Sequence, residues 1–162
     1  EEAHRGQGLT HRAFSIFLFD ADDNLLLHER SQEKPLWPGF WTNSCCSHPR
    51  RGEDILSAAK RRLYEELGVG GSLRYVYQFY YQAKYLDVGS ENEKCSVFLA
   101  RMTLGQHLDI DPAEISNIKW MPLAEIDRWV RRESDSFTPW FLLEWKALAG
   151  EYRDQITDFL KA

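Results

Sequence analysis

One helical stretch lies between two groups of strand-like segments, and this order constrains the fold more than any other feature of the sequence. Apolar side chains recur at spacings of three and four from Asp54 to Gly68, and a glycine is well suited to end a helix. The pattern therefore predicts a long helix over residues 54–68, with sheet-forming segments before and after it.

Alternating or continuous apolar runs predict the strands, and residues 12–19 and 25–30 are expected to form a hairpin. The predicted strands are 12–19, 25–30, 40–46, 73–81, 93–103 and 115–121. Two helices are predicted to finish the chain, one with Pro122 in its first turn and one capped by Thr138 with Pro139. Strands, one helix, strands and then helices predict an α/β fold of the α+β sandwich type, with mixed β-sheets flanked by helices.

The length of 162 residues predicts one domain that spans residues 1–162. Apolar residues make up 43% and charged residues 28%, a balance typical of folded globular proteins and not of disordered chains. No apolar run approaches the ~20 residues that a transmembrane helix needs. We expect residues 1–10 to form a flexible N-terminal segment, because chain ends are often poorly ordered.

The charge balance limits the possible partners. Lys and Arg total 20 against 25 Asp and Glu, so the net charge of −5 argues against a nucleic-acid partner. A phosphorylated ligand would have to be small and held by local basic residues or by a divalent metal. Three cysteines, an odd number, favour a reducing compartment. We expect a cytoplasmic monomer that acts on a small molecule and has neither a membrane nor a nucleic-acid partner.

Two pairs of polar residues have a spacing that suits a metal site. Cys46 and His48 lie two positions apart, as do Glu91 and Glu93, and in an extended segment this spacing places both side chains on one face. Imidazole and carboxylate groups together suit Mn, Mg or Zn. Taken singly, each of these residues is more often an ordinary polar group on the surface.

The end of the predicted helix, residues 61–68, is similar to the Nudix box, a loop-helix-loop motif of enzymes that handle diphosphates. Glu53, Arg61, Glu65 and Glu66 fall on motif positions. Two positions depart from the motif: Ser47 replaces its leading glycine, and Arg62 replaces a glutamate that hydrolytic members use for metal binding. The departure at Arg62 weakens the prediction of a hydrolase.

The sequence around this box resembles the type I isopentenyl-diphosphate delta-isomerases, a Nudix-fold family that rearranges its diphosphate substrate without cleaving it. The resemblance extends from about His4 to beyond Trp140. It rests on separated motifs in the family's order: His-Arg-Ala-Phe-Ser at 11–15, Trp-Pro-Gly at 37–39, Thr-Asn-Ser-Cys-Cys-Ser-His-Pro at 42–49, Glu-Glu-Leu-Gly at 65–68 and Glu-Asn-Glu at 91–93. A match at so many motifs predicts the Nudix fold for the whole domain.

The resemblance implies an isomerase of isoprene biosynthesis that interconverts isopentenyl and dimethylallyl diphosphate. The reaction it implies is an antarafacial protonation and deprotonation through a carbocation-like species. The implied catalytic residues are Cys46, Glu93, Tyr81 and Trp140, with Cys46 and Glu93 as the acid/base pair. The implied substrate-binding residues are Arg30, Lys34 and Arg62. The implied metal ligands are His4, His11, His48, Glu91 and Glu93 for one tightly bound Mn, Mg or Zn, and Glu66 for a second Mg that accompanies the diphosphate.

Two other functions stay open on the sequence: a Nudix diphosphate hydrolase and a noncatalytic, metal-stabilised binding module. Without the motif match, a cysteine such as Cys46 is most often a small buried apolar residue, and Trp140 an ordinary core residue. The remaining polar residues that we singled out match no motif: His28 and His107 are predicted to be structural or exposed, and Arg50 and Arg51 to be solvated.

Overall fold

A computed structural model describes His4 and residues 8–162. The described residues form seven strands and four helices. The strands are β1 (His11–Phe19), β2 (Leu25–Arg30), β3 (Trp41–Thr42), β4 (Cys45–Ser47), β5 (Leu73–Tyr85), β6 (Gly89–Arg101) and β7 (Ile115–Met121). The helices are α1 (Ile55–Leu67), α2 (Leu123–Arg132), α3 (Pro139–Ala149) and α4 (Arg153–Lys161). Residues 1–3 and 5–7, most of the segment predicted to be flexible, lie outside the described residues.

All seven strands belong to one mixed sheet in the order β3-β2-β1-β6-β5, with β4 also paired to β1 and β7 to β2. The β1–β6 pair is parallel, with His11 opposite Glu93, whereas the other pairs are antiparallel. The predicted hairpin of β1 and β2 is limited to one registered pair, Phe19 with Leu25. A mixed sheet flanked by helices confirms the predicted architecture.

Strand β1 packs on both of its faces. Phe14 and Ile16 belong to a core cluster shared with α1, whereas Phe17 and Phe19 belong to a second cluster shared with α2, α3 and α4. Because side chains alternate along a strand, the residues of β1 divide evenly between the two layers. Ser15 is a buried polar residue on the face that packs against α3, and His11 at the start of the strand lies on the same face.

Helix α1 confirms the prediction for residues 54–68. The Asp54 side chain accepts a hydrogen bond from the Ser57 N–H at 2.9 Å and caps the helix. Gly68 ends it in the left-handed conformation with φ 70° and donates its N–H to the Tyr64 carbonyl. A Cβ at this position would lie 2.6 Å from the Asp109 Cβ, so a glycine is required both for its φ and for the close packing.

The predicted strand over residues 40–46 is wrong as a single strand, because β3 and β4 are separated at Asn43 and Ser44. Both side chains are fully buried and bond to backbone groups instead of continuing a ladder. Ser44 Oγ donates to the Leu26 carbonyl and accepts from the Leu18 N–H, and the Asn43 amide donates to the Cys45 carbonyl. His28 is buried beside them and donates to the Ser44 carbonyl, as a structural residue.

The C-terminal part has three helices where two were predicted. Gly150 ends α3, and Tyr152 is the N-cap of a separate helix, α4, which packs back onto the core through Ile156. Thr138 and Pro139 occupy the predicted positions at the start of α3, although the Thr138 hydroxyl bonds to Thr42 and not to the helix. Pro122 lies just before α2 and not in its first turn.

No helix in the described part of the chain has the length and apolar character needed to cross a membrane.

Candidate active site

A cavity of about 180 Å³ opens between the sheet and the start of α3. Its size lies below the ~300–1,000 Å³ of ordinary drug-sized pockets, so it suits a small molecule. Ten of the predicted site residues line it: His4, Arg30, Lys34, Cys46, His48, Arg62, Tyr81, Glu91, Glu93 and Trp140. The cavity therefore brings together most of the residues that the motifs singled out, with His11 and Glu66 beside it.

Three imidazoles and two carboxylates meet at one end of the cavity. The ring centroids of His4, His11 and His48 lie 4.7 to 5.4 Å apart. Glu91 Oε2 lies 2.9 Å from His4 Nδ1, and Glu93 Oε1 lies 2.6 Å from His48 Nε2. Strand β1 supplies one histidine and the neighbouring strand β6 both carboxylates, because the parallel register puts position 11 beside position 93.

Donor atoms of this cluster are left without hydrogen bonds in the described part of the chain. His4 Nδ1, His11 Nε2 and Glu91 Oε2 are all buried and make no hydrogen bond, although His4 Nδ1 and Glu91 Oε2 face each other at 2.9 Å as an ion-pair contact. One ligand atom from each of His4, His11, His48 and Glu91 lies within 4.8 Å of the others. Buried polar atoms normally find a partner, and imidazole nitrogens with carboxylate oxygens suit Mn, Zn or Mg. The donor set therefore fits a divalent metal.

The ring orientation of His11 also fits metal binding. Its Nδ1–H donates to the Leu9 carbonyl at 2.7 Å, which places the proton on Nδ1 and leaves the lone pair of Nε2 free. Nε2 faces Glu93 Oε1 at 3.4 Å and Glu91 Oε2 at 3.8 Å. A backbone carbonyl thus orients the imidazole toward the two carboxylates.

Glu93 is the most heavily engaged carboxylate of the cavity. The Tyr81 hydroxyl donates to its Oε2 at 2.6 Å, because Tyr81 and Glu93 are directly opposite in the β5–β6 register. Burial alone would raise the pKa of Glu93, but the close His11 and His48 imidazoles and the Tyr81 hydroxyl outweigh it and lower the pKa. Burial raises the pKa of Tyr81 well above its ordinary value, so its hydroxyl stays protonated.

Cys46 lines the cavity from β4, opposite Ser15 in the β1–β4 register. Burial of the thiol raises the pKa of Cys46 to about 12. The side chain therefore carries its proton at neutral pH. The neighbouring Cys45 points to the other side of the sheet, where it is fully buried in the α1 core, so the two adjacent cysteines have different surroundings.

Arg30 is buried in the wall of the cavity, which also includes Lys34 and Arg62; we call the part formed by these three cations the diphosphate end. Its Nη2 donates to the Leu36 carbonyl at 2.8 Å, and its Nε donates to the Trp37 carbonyl at 3.1 Å. The guanidinium also lies over the Trp140 ring, 5.2 Å from the centroid. Among the described residues Arg30 has no carboxylate partner, so its positive charge faces the cavity without compensation.

Lys34 and Arg62 share a carboxylate that the sequence did not single out, Glu114. Lys34 Nζ lies 2.5 Å from Glu114 Oε2, and Arg62 Nη2 lies 2.8 Å from Glu114 Oε1. The same Nη2 lies 2.5 Å from Glu66 Oε1. Burial raises the pKa of Glu66 to about 7 even though Arg62 favours the ionised form. No motif includes Glu114, and only the strand register near β7 places it here.

Trp140 is buried between aromatic neighbours at the start of α3. Its ring is edge-on to Trp37 at 5.3 Å and lies 6.3 Å from Tyr81, and its Nε1–H has no partner among the described residues. The indole therefore presents an electron-rich wall to the cavity while also covering Arg30. Its contact with Arg30 could not be read from the sequence.

A second carboxyl that the sequence missed, Glu144, lies beneath the cavity one turn after Trp140. It is fully buried, with Oε1 3.7 Å from Cys95 Sγ and Oε2 unpartnered among the described groups. Burial raises the pKa of Glu144 to about 8, and the nearby charge of Glu93 acts in the same direction. Three of the polar residues that match no motif are exposed on the surface: Arg50, Arg51 and His107.

Comparison with known proteins identifies the family to which the chain belongs. Residues 9–141 match the NUDIX domain family. The chain is 35% identical to isopentenyl-diphosphate Delta-isomerase 1 of Photorhabdus laumondii, in a match that covers 96% of this chain and 88% of that protein. It is 38% identical to isopentenyl-diphosphate Delta-isomerase of Nocardia farcinica, over 94% of this chain and 87% of that one. These matches confirm the resemblance inferred from the motifs.

Solved structures resemble the fold at much lower identity. The MutT protein from Methanosarcina mazei Go1 superposes with a TM-score of 0.67 at 14% identity, over 84% of this chain and 89% of that one. The Nudix hydrolase RenU from M. smegmatis superposes with a TM-score of 0.65 at 15% identity, over 94% of both chains. Together with the domain match, these likenesses confirm the predicted Nudix fold.

Proposed function

The chain belongs to the Nudix domain family and, within it, to the isopentenyl-diphosphate Delta-isomerases, and on this premise we propose that it interconverts isopentenyl and dimethylallyl diphosphate in the cavity between sheet and α3. The observation that carries the proposal is the position of Cys46 and Glu93, an acid/base pair, in the walls of one small cavity. Both groups are largely withdrawn from water, as carbocation-like chemistry requires.

Cys46 and Glu93 exchange protons with carbon. One of the two donates a proton to the terminal alkene carbon, and the π electrons form the new C–H bond. The other removes a proton from the neighbouring methylene, and the electrons of that C–H bond form the new double bond. A neutral thiol and a carboxylate, hydrogen-bonded by Tyr81, are a matched pair for this exchange. The roles exchange when the reaction runs in reverse.

Aromatic and basic side chains hold the rest of the substrate. Trp140 forms an electron-rich wall that favours the developing positive charge at the tertiary carbon. Arg30, Lys34 and Arg62 present guanidinium and ammonium donors to the diphosphate. With the diphosphate held by these cations, the alkene lies toward Cys46 and Glu93, which line the same cavity.

His4, His11, His48, Glu91 and Glu93 would hold the tightly bound divalent metal. Such an ion would supply a fixed positive charge that orients Glu93 and adjusts its basicity. Glu66 would hold a second Mg that accompanies the diphosphate. The identity of both ions is part of the proposal, with Mn, Mg or Zn at the first site and Mg at the second.

We propose a cytoplasmic, monomeric enzyme of isoprene biosynthesis that acts without a nucleic-acid or membrane partner. The three cysteines are free, which suits a reducing compartment. Hydrolysis of the diphosphate is the competing activity. The Arg62 guanidinium forms ion pairs with Glu65, Glu66 and Glu114. These carboxylates are therefore less available to bind a metal for hydrolysis, which favours rearrangement of the substrate over its cleavage.

Deuterium exchange tests the proposal. The parent protein, incubated with isopentenyl diphosphate in heavy water, should form dimethylallyl diphosphate that carries deuterium and should release no phosphate. Cys46→Ala should lower the rate by about 10²–10⁴-fold, the usual contribution of a positioned acid or base. Cys45→Ala is the matched control, because this residue is adjacent but packs in the other core layer. Exchange that survives in Cys46→Ala at the control rate would refute the acid/base assignment.

A further inference from the structure

Two of the three cations at the diphosphate end are neutralised within the protein. Lys34 and Arg62 both bind Glu114, through its Oε2 and Oε1 atoms. Arg62 also contacts Glu65 at 3.0 Å and Glu66 at 2.5 Å. The positive charges of Lys34 and Arg62 therefore already face carboxylates before a phosphate enters.

Glu114 cannot easily withdraw from these cations. Its carbonyl accepts the Ser31 N–H at 2.9 Å, and its own N–H donates to the Asp111 carbonyl at 3.1 Å. The Ser31 carbonyl in turn accepts the Lys34 N–H at 3.1 Å, so the carboxylate and one of its cations share a backbone support. The side chain is only about a fifth exposed, at 22%. The charge of Glu114 therefore stays beside the diphosphate site when a ligand enters.

Arg30 differs from the other two cations. Its guanidinium donates to backbone carbonyls and lies over Trp140, and within the described part of the chain it meets no carboxylate. The excess positive charge of the diphosphate end is therefore small. A free diphosphate carries several negative charges, whereas its complex with a divalent ion has two fewer. The charge balance of the site matches the metal complex better than the free anion.

We propose that Glu114 is a specificity-determining residue that makes the site accept diphosphate as its magnesium complex and reject the metal-free anion. The inference rests on the proposed function only for the diphosphate end of the cavity and not for the proton transfers. Repulsion from Glu114 raises the dissociation constant of the bare anion, and the two charges of Mg²⁺ remove that penalty.

Binding of inorganic pyrophosphate tests this directly. The protein with its tightly bound metal is desalted into buffer without free Mg²⁺, and calorimetry measures the dissociation constant of pyrophosphate with and without added Mg²⁺. The ratio of the constant without Mg²⁺ to the constant with it is the magnesium factor. We expect a factor of at least about tenfold for the parent, since one charge near the site acts at short range.

Glu114→Gln should reduce the magnesium factor severalfold, mainly because the bare anion binds more tightly. Glu114→Asp keeps the charge but shortens its reach, so it should retain the factor even where both constants weaken. Glu125→Gln removes an exposed charge from α2, far from the cavity, and should bind like the parent. A purely structural role for Glu114 would shift both dissociation constants together and leave the factor unchanged.

A parent factor of one, or an unchanged factor in Glu114→Gln, overturns the inference. These outcomes are separate from a failure of the proposed function, which would appear as an absence of deuterium exchange in the parent protein. A parent that selects magnesium pyrophosphate but does not isomerise would keep the inference and refute the isomerase proposal.

Discussion

The two ends of the cavity carry similar numbers of charged groups but use them differently. At the histidine end, donor atoms of His4, His11 and Glu91 are buried and have no hydrogen-bond partner among the described groups. At the diphosphate end, Lys34 and Arg62 are already paired with carboxylates. The donor atoms of the histidine end are therefore available to the proposed metal, whereas the cations Lys34 and Arg62 of the diphosphate end are already balanced by carboxylates within the protein.

Glu93→Gln is the change with the largest expected effect, because it removes the base and a predicted metal ligand together. We expect the rate of isomerisation to fall by about 10³-fold or more and the metal content of the purified protein to fall as well. Elemental analysis and initial rates measure the two. Asp87→Asn, at the exposed turn before the same strand, is the control. Full metal content with a preserved rate would contradict both roles of Glu93.

Removal of the metal tests whether the histidine end holds an ion in the absence of substrate. With the ion at about 1,000 times its dissociation constant, the folded protein should gain about 4 kcal/mol, which corresponds to a melting temperature higher by about 10 °C. His11→Asn should lose most of this difference between metal-loaded and metal-stripped protein. His107→Asn, an exposed histidine, should keep it. Equal melting curves with and without metal in the parent would show that the histidine end holds no ion in the absence of substrate.

Glu144 differs from the carboxylates at both ends of the cavity, because this buried carboxyl meets no cation among the described residues. Its pKa is raised from 4.5 to about 8, so between these values the folded protein keeps a proton that the unfolded chain releases. The free energy of unfolding therefore falls as the pH rises through this window, by up to about 1.4 kcal/mol for each pH unit.

Glu144→Gln should remove that slope. Relative to the parent, the variant should become more stable between pH 5 and pH 8, by an amount on the order of 3 kcal/mol at the upper end. Urea denaturation at both pH values measures the difference, and Glu133→Gln, an exposed helix-end residue, serves as the control. A parent and variant with parallel pH profiles would show that the carboxyl is ionised inside the folded protein.

Arg30→Lys should have the smallest of these effects. A lysine retains the charge but loses the hydrogen bonds to the Leu36 and Trp37 carbonyls and the stacking on Trp140. We expect KM for isopentenyl diphosphate to rise by about tenfold with little change in kcat or in metal content. Arg51→Lys, an exposed arginine, is the matched control. A fall in kcat with an unchanged KM would assign Arg30 to the chemistry and not to the diphosphate end.

Local signals were sufficient for several elements of the fold. Helix α1 has its capping aspartate, its apolar spacing and its final glycine within one segment, and β7 was predicted with its observed bounds, Ile115–Met121. Helix α4 was missed because Gly150 interrupts a stretch that otherwise reads as one helix. The break between β3 and β4 was missed because the backbone partners of Asn43 and Ser44 lie on other strands.

The residues of the candidate site likewise include some that the sequence identified and some that it missed. Residues in motifs, such as Cys46 and Glu93, could be named from the sequence, and the structure places them in one cavity. Glu114 and Glu144 could not, since an isolated glutamate on a loop or in an apolar helix carries no local signal of its partners. Their roles depend on strand register and helix packing, which bring distant segments together only in the complete fold.

The parallel pairing of β1 with β6 has a consequence for how the enzyme matures. His11 and Glu93 come from opposite halves of the chain and become neighbours only when this long-range pair forms. Such pairings close large loops and therefore form late and slowly compared with local turns. A newly made chain consequently has no assembled histidine cluster until this long-range pair has formed, so the proposed metal site can fill only after that step.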